Sequence, residues 1–356
     1  MLLGGIVAVV ASLSGCFAVG QRRVPVDRFN YSEAIGRSSN EQMLLNLVRL
    51  RYRDVPVFLA VSSVLTQYVW STNLGVNGAS GRSLGDPLWS IGGSGGAVYI
   101  ERPTVTYSPL TGDEFAAQLL TPISGNLIFS LLESGWPAAQ LLSMTLRRMN
   151  HVQNMPWDAD EPRSVEGVQA FQEVVGLIIA LGRRDAIEME REGAGPDQKR
   201  FLVFTESDDP ETQRLVAELK ARLRLDPARS RFKVTTRLTR RAPDEITMRE
   251  RSLLMMMGFL SRGVELPPAH LAEGRGRVIE PVGDPATREL TTPLRVHASK
   301  QWPRGASVRV KYHGHWFYIL HADEHSKQAF GLLTYLFQLK APKAPGGVPM
   351  VTVPTG

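Results

Sequence analysis

The apolar positions of the chain change period several times along its length. Residues Met1 to Leu13 form an uncharged, mostly apolar run with no polar face, the length of the hydrophobic region of a secretory signal. Phe17 to Asn30, with Gly20, Pro25 and three arginines, reads as a tether. The spacing then becomes helical: Ser38-x-x-Glu41 reads as a capping box ahead of Met43, Leu44, Leu47 and Val48, in a helix expected to end before Pro56.

From Val57 to Tyr107 the period shortens to two. Val57, Leu59, Val61 and Leu65 alternate with Phe58, Ala60, Ser62 and Val64, and both faces of this first strand are fairly apolar. That predicts a strand buried on both sides or paired with a partner. Asn77-Gly78 and the glycines of 92–96 punctuate the run, and Ala97 to Ile100 and Thr104 to Tyr107 read as later strands. Helical spacing returns at Thr111-x-x-Glu114, read as a second capping box, then at Asn126 to Glu133 before Gly135. A further helix opens at Pro137 and carries Leu141, Leu142, Thr145 and Met149.

Residues 154–162, with two prolines and three acids, read as a linker. Beyond them Val168, Phe171, Val175, Ile178 and Leu181 mark an amphipathic helix that starts at Ser164 and stops at Gly182. A hairpin is expected from Ala186–Glu190 and Phe201–Thr205, a helix from Pro210 to Leu223, and a strand over 231–238. A helix capped by Asp244 is expected to run to Gly263, with Met255, Met256 and Met257 filling core gaps. Strands near 294–299, 306–312 and 315–320, a helix over 324–339 and a strand-like Met350–Val353 complete the reading. In the hairpin, a His313-Gly314 turn pairs Val308 with Ile319 and Val310 with Phe317 on one face, and Arg309 with Tyr318 and Lys311 with Trp316 on the other. That second face could hold a sugar or nucleotide, but packing against the final helix is the expected outcome.

Hairpins and helices without regular βαβ alternation give an α+β class: two small units of mainly antiparallel strands covered by amphipathic helices. The expected division is 1–15 signal peptide, 16–30 tether, 31–153 N-terminal unit, 154–162 linker, 163–340 C-terminal unit and 341–356 Pro/Gly-rich tail.

The chain has 356 residues and one cysteine, which excludes an internal disulfide framework and any multi-cysteine metal site. That cysteine closes the tetrapeptide Leu13-Ser14-Gly15-Cys16. The tetrapeptide resembles a bacterial lipobox: a leucine, two small residues that let a peptidase admit the extended backbone, and the cysteine whose sulfur carries the lipid. The resemblance implies lipidation at Cys16, a palmitate-bearing membrane anchor and a place in the cell envelope. Phe17 stands where an aspartate would resemble an inner-membrane retention signal, so an outer-membrane lipoprotein facing the periplasm is expected. An uncleaved anchor, with Arg22 and Arg23 holding the body in the cytoplasm, is the alternative. The run Asn40 to Leu59 also resembles a segment of uncharacterised envelope lipoproteins, which implies no activity.

Charge adds one feature. The net charge is +6, and residues 218–251 hold eleven Lys and Arg against five acids, so the excess is concentrated there. Arg231, Lys233 and Arg237 alternate with Phe232, Val234 and Leu238, and Arg240 and Arg241 follow. This set is a candidate surface for an anionic lipid, glycan or envelope protein; the structural explanation is an edge strand guarded by cations. Nucleic acid is not an expected partner of an exported protein.

Catalytic motifs are sparse. Gly92-Gly93-Ser94-Gly95-Gly96 satisfies G-x-S-x-G but lacks the strand–turn–helix context of a nucleophile elbow and reads as a turn. Ser230-x-x-Lys233 begins a strand and has no companion motifs. His321-Ala322-Asp323-Glu324-His325 satisfies H-x-x-E-H, which on one helix would place two histidines over a zinc ion with Glu324 activating water. The motif falls at a strand–helix junction, so no metal and no cofactor are expected. A structural or accessory binding role in a periplasm-facing assembly leads; a metal-dependent envelope hydrolase using His321, Glu324 and His325, or a module for anionic lipid or glycan, are the alternatives.

Overall fold

The first helix, α1, spans Val19–Arg51 without a break. Residues 19–30, expected as a tether, are therefore helical backbone, and Ser38 lies inside the helix instead of capping it. Among its described side chains, burial is confined to the last turns, through Met43, Leu44, Asn46, Leu47 and Val48. Asn46 on the same turns clamps the chain that leaves the helix: its Nδ2 donates to the Val57 carbonyl at 2.8 Å and its Oδ1 accepts the Val57 N–H at 2.9 Å. The structure, a computed structural model, describes residues 19–83, 86–154, 165–193, 198–236, 242–279, 292 and 294–340, with side chains outside 19–28, 62–106 and 165–166.

Strands β1 (Leu59–Ser83) and β2 (Asp86–Pro109) form one antiparallel hairpin. After a register shift between Val61 and Ser63, pairing runs unbroken from Ser63↔Thr106 to Ser83↔Asp86. Two long strands thus replace the several short ones expected. Gly92–Gly96, read from sequence as a turn, is the interior of β2 and pairs with Asn77–Asn73. Glycine weakens the strand signal because it has no side chain, yet it keeps both ladder hydrogen-bonding groups.

Short helices follow. α2 (Asp113–Leu120) starts after Gly112, at φ 95°, with no side-chain cap, so Thr111 and Glu114 do not form the expected box. α3 (Gly125–Glu133) is capped by Ser124, whose hydroxyl accepts from Leu127 N–H. α4 (Ala138–Thr145) ends four residues earlier than expected, because Leu146–Met149 is strand β3. β4 is Val152–Gln153.

The chain continues with α5 (Val165–Gly182), β5 (Ile187–Glu192), β6 (Lys199–Phe204), α6 (Pro210–Leu223), β7 (Arg231–Thr235) and β8 (Glu245–Glu250). β8 takes the first half of the helix expected from Asp244; α7 (Leu253–Ser261), capped by Ser252, is the remainder. Pairing explains the switch. β8 lies between antiparallel β3 and parallel β7, and tertiary pairing overrides local propensity. Met256 and Met257 are fully buried, as a core reading requires. α8 (Pro268–Ala272), β9 (His297–Ser299), β10 (Ala306–Tyr312), β11 (His315–Leu320) and α9 (Glu324–Lys340) complete the described elements.

The class is α+β, with a six-stranded sheet of order β4-β3-β8-β7-β6-β5, a three-stranded sheet β10-β11-β9 and the two-stranded hairpin. The larger sheet takes strands from both sides of residues 154–162, so the two expected α+β units share one sheet. The compact units fall elsewhere: residues 1–57 with 111–342, and 58–110 with 343–356. Residues 155–164, most of the expected linker, and the strand-like 350–353 lie outside the described residues. Among the described residues, no helix is long and apolar enough to cross a membrane.

Candidate functional site

Of the cationic set, Arg231 is paired within the sheet. Arg231 donates from Nε to Glu190 and from Nη2 to Glu192, each at 2.9 Å, and its guanidinium carbon lies 3.4 Å from the Phe201 ring centroid. These hydrogen bonds hold the Glu192 carboxyl below the usual range and raise Arg231. Arg231 is exposed and Phe232 fully buried, as the alternation predicts, but Lys233 and Val234 are both half-buried, so the expected contrast ends there. The edge-strand explanation fails, however, because β7 is interior, between β8 and β6. Arg237, Arg240 and Arg241 lie outside the described residues.

Other cations of the 218–251 stretch are also matched locally. Arg222 pairs with Glu173, and Arg229 with Asp226 and Asp244. Arg251 is interior: its Nη1 donates to the carbonyls of Ser143 at 2.7 Å and Met144 at 3.1 Å, and burial lowers its pKa to about 9. Among the described residues, the cations of this stretch do not form one continuous surface.

The H-x-x-E-H residues are divided between elements. His321 is in the turn after β11; its N–H donates to the Gly305 carbonyl at 2.9 Å and its carbonyl accepts from Lys327 Nζ at 2.8 Å. Glu324 and His325 open α9. Asp323 caps that helix, accepting the Ser326 N–H at 3.0 Å and the Ser326 hydroxyl at 2.7 Å. Among the described residues no group of three or more His, Cys, Asp or Glu is placed to hold a metal ion.

The β10–β11 hairpin follows the sequence register pair for pair. Val308 faces Ile319, Arg309 faces Tyr318, Val310 faces Phe317 and Lys311 faces Trp316. The turn sits at His313 (φ 44°) and Gly314 (φ 80°), the double left-handed geometry of a type I′ turn. Val308 and Ile319 turn toward Phe330 and Thr334 of α9 and Asn40 of α1, so the final helix covers the aliphatic face. The aromatic–basic face, expected to pack there, is the outward one.

That outward face is organised. Trp302, 55% exposed on the segment before β10, meets Trp316 edge-on with ring centroids 4.6 Å apart. The Arg309 guanidinium lies 4.1 Å from the Trp302 ring centroid, and Lys311 Nζ 5.9 Å from that of Trp316. His297 leans on Tyr318 at 5.5 Å and its Nδ1 is 3.1 Å from Glu265 Oε1. Rings offer flat apolar area and the cations offer charge-assisted donors. Such a surface fits a ligand with a carbon-rich face and negative charge.

A second cluster, invisible in the sequence, lies at the turn end of the same hairpin. Tyr52 Oη is 2.6 Å from His270 Nδ1. His270 meets His315 edge-on at 4.7 Å, and His313 lies 3.8 Å from Asp54 through Nε2. Tyr312 donates to Asp54 Oδ2 at 2.6 Å. Burial raises Tyr52 to about 12 and lowers His270, with His315 and Arg275 adding to the latter effect. This cluster ties α8 and the end of α1 to the hairpin.

Comparison with known proteins finds no matching family, no matching curated protein and no matching solved structure.

Proposed function

We propose that the protein is a lipid-anchored component of the bacterial cell envelope, facing the periplasm, with a structural or accessory binding role. The binding role is carried by the outward face of β9–β11–β10, where Trp302, Trp316 and Tyr318 stand among Arg309 and Lys311. The location is carried by the apolar run that ends in Leu13-Ser14-Gly15-Cys16. Two or three acyl chains on Cys16, at about 0.8 kcal/mol per buried CH₂, give lasting attachment.

The ligand class that suits the face is a carboxylate-bearing glycan. A sugar ring stacks its C–H face on an indole, and carboxylates meet the guanidinium and ammonium groups. The hydrolase reading is less well supported, because His321 stands in a turn with its backbone committed to Gly305 and Lys327.

Sedimentation of the detergent-purified chain with peptidoglycan sacculi tests the reading. Binding is expected to weaken about tenfold in Trp316→Ala and in Arg309→Ala, which corresponds to about 1.4 kcal/mol. Binding unaffected by either substitution would overturn the assignment of this face.

A further inference from the structure

The β1–β2 hairpin is long, and among the described residues each of its strands has only the other as neighbour. A lone two-stranded ribbon is marginal in water and presents two rows of backbone donors and acceptors. Its charges are confined to the ends. Glu101 and Arg102 pair with Tyr68 and Gln67 near the base, and Arg82 and Asp86 lie at the tip. Between them run thirteen paired positions, Val69↔Ile100 to Gly81↔Leu88, without one charged residue.

That uncharged block has the dimension of a bilayer. At about 3.3 Å per residue it is about 43 Å long, and a tilt of about 40° projects it to about 33 Å. A hydrocarbon core is about 30 Å thick.

Its two faces differ by register. One carries Tyr68, Trp70 and Tyr99 near the base and Trp89 near the tip, with Leu74, Val76 and Ile91 between. Aromatic rows bracketing an aliphatic band are the outer-surface signature of membrane barrels. The other face carries Ser71, Asn73 and Asn77 on β1 with Ser94 and Ser90 on β2 through its middle, and Val69, Val98, Ile100 and Leu88 toward its two ends. Small and polar residues suit a water-filled interior. The glycines of 92–96 pair opposite Asn77–Asn73, and they leave that stretch of wall thin.

A hairpin cannot enter lipid alone, because each unpaired backbone group in hydrocarbon costs several kcal/mol. Its edges must pair until the sheet closes, and identical hairpins provide such pairing. We propose that copies of this chain associate through β1 and β2 into a closed membrane-spanning barrel, the aromatic face toward lipid and the serine–asparagine face toward an aqueous lumen. Each copy contributes two strands, so an aqueous channel of about 16 strands takes about eight copies. This deepens the envelope reading and rests on it for the location, while the pairing itself follows from the hairpin.

The test is conductance of the purified full-length chain in bilayers of phosphatidylethanolamine and phosphatidylglycerol, with native electrophoresis of the same sample. Oligomers and stepwise conductance are expected from the chain alone. Asn73→Asp and Ser94→Asp are expected to keep the conductance and shift it toward cations, whereas Leu74→Arg and Ile91→Arg are expected to abolish it while the oligomer-free body keeps its heat-unfolding transition. A chain that stays monomeric and silent in these bilayers overturns the proposal, as does the reverse pattern among the four variants. Lipid analysis of wild-type Cys16 beside the conductance separates the two readings. Conductance that persists when wild-type Cys16 takes no lipid refutes the anchor alone, and lipid on Cys16 in a silent, monomeric chain refutes the barrel alone.

Discussion

Tyr52 and His270, 218 positions apart in sequence, meet through a hydrogen bond of 2.6 Å in a buried setting. The bond joins the turn after α1 to α8 and sits beneath the His313–His315 end of the β10–β11 hairpin. Tyr52→Phe keeps the ring contacts with Phe317 and Tyr312 and removes only the hydroxyl, leaving a buried ring nitrogen without its partner. A loss of about 1–2 kcal/mol in urea unfolding is expected, and an unchanged midpoint would contradict the described bond.

The same cluster sets a pH dependence. His270 has its pKa lowered from 6.5 by burial, then by His315 and Arg275, with His313 adding to this and Glu273 opposing it. Its folded-state pKa is below the unfolded one, so the unfolded chain binds the proton first as pH falls. The contribution is full above about 6.5 and is lost as pH drops through the lower folded value. The melting temperature should therefore fall between pH 7.5 and pH 5 by more in the wild type than in His270→Phe. Equal slopes would remove His270 from the account.

Asn150 holds the sheet together where β3 meets β8. Its Nδ2 donates to the Leu223 carbonyl at 2.8 Å and its Oδ1 accepts the Thr247 N–H at 2.8 Å, all buried. Asn150 also occupies φ 50°, a left-handed conformation that asparagine tolerates better than most residues. Asn150→Ala removes both of these buried bonds and strains the turn, for an expected loss of about 2–4 kcal/mol. Calorimetry of the purified variant measures it; a change below about 1 kcal/mol would contradict the buried clamp.

Arg231 is bound to two glutamates, so its reversal acts on the sheet. Arg231→Glu gathers three carboxylates across β5 and β7 and should lower the melting temperature, with partial recovery at high salt. Lys233→Glu should do less. Equal effects of the two substitutions on melting would show that the Glu190–Arg231–Glu192 cluster contributes nothing.

Legibility in the sequence followed the locality of the signal. The β10–β11 register was readable because His313-Gly314 fixes the turn and the strands alternate cleanly on either side. α6 was readable from Pro210 at its start, and the structure adds its cap, Asp209, whose side chain accepts the Thr212 N–H. β8 was not, since Ile246 and Met248 sit in a helix-compatible run and become strand only by pairing with β3 and β7 from distant sequence. The β1–β2 hairpin was half legible: its apolar faces announced a partner, but Gly92–Gly96 broke the pattern where the ladder continues. Tyr52, His270 and His315 come from three separate elements, and no spacing rule joins them. The outward aromatic–basic face was drawn correctly, while the helix that was to cover it packs on the opposite side.

The envelope proposal stands on attachment of this body to a membrane through Cys16. Metabolic labelling with palmitate in a bacterial host, followed by fractionation, tests it most directly. Label on the wild-type chain in the membrane fraction, and none on Cys16→Ala, is the predicted result. Label that persists in Cys16→Ala, or a wild-type chain that takes none, would contradict it.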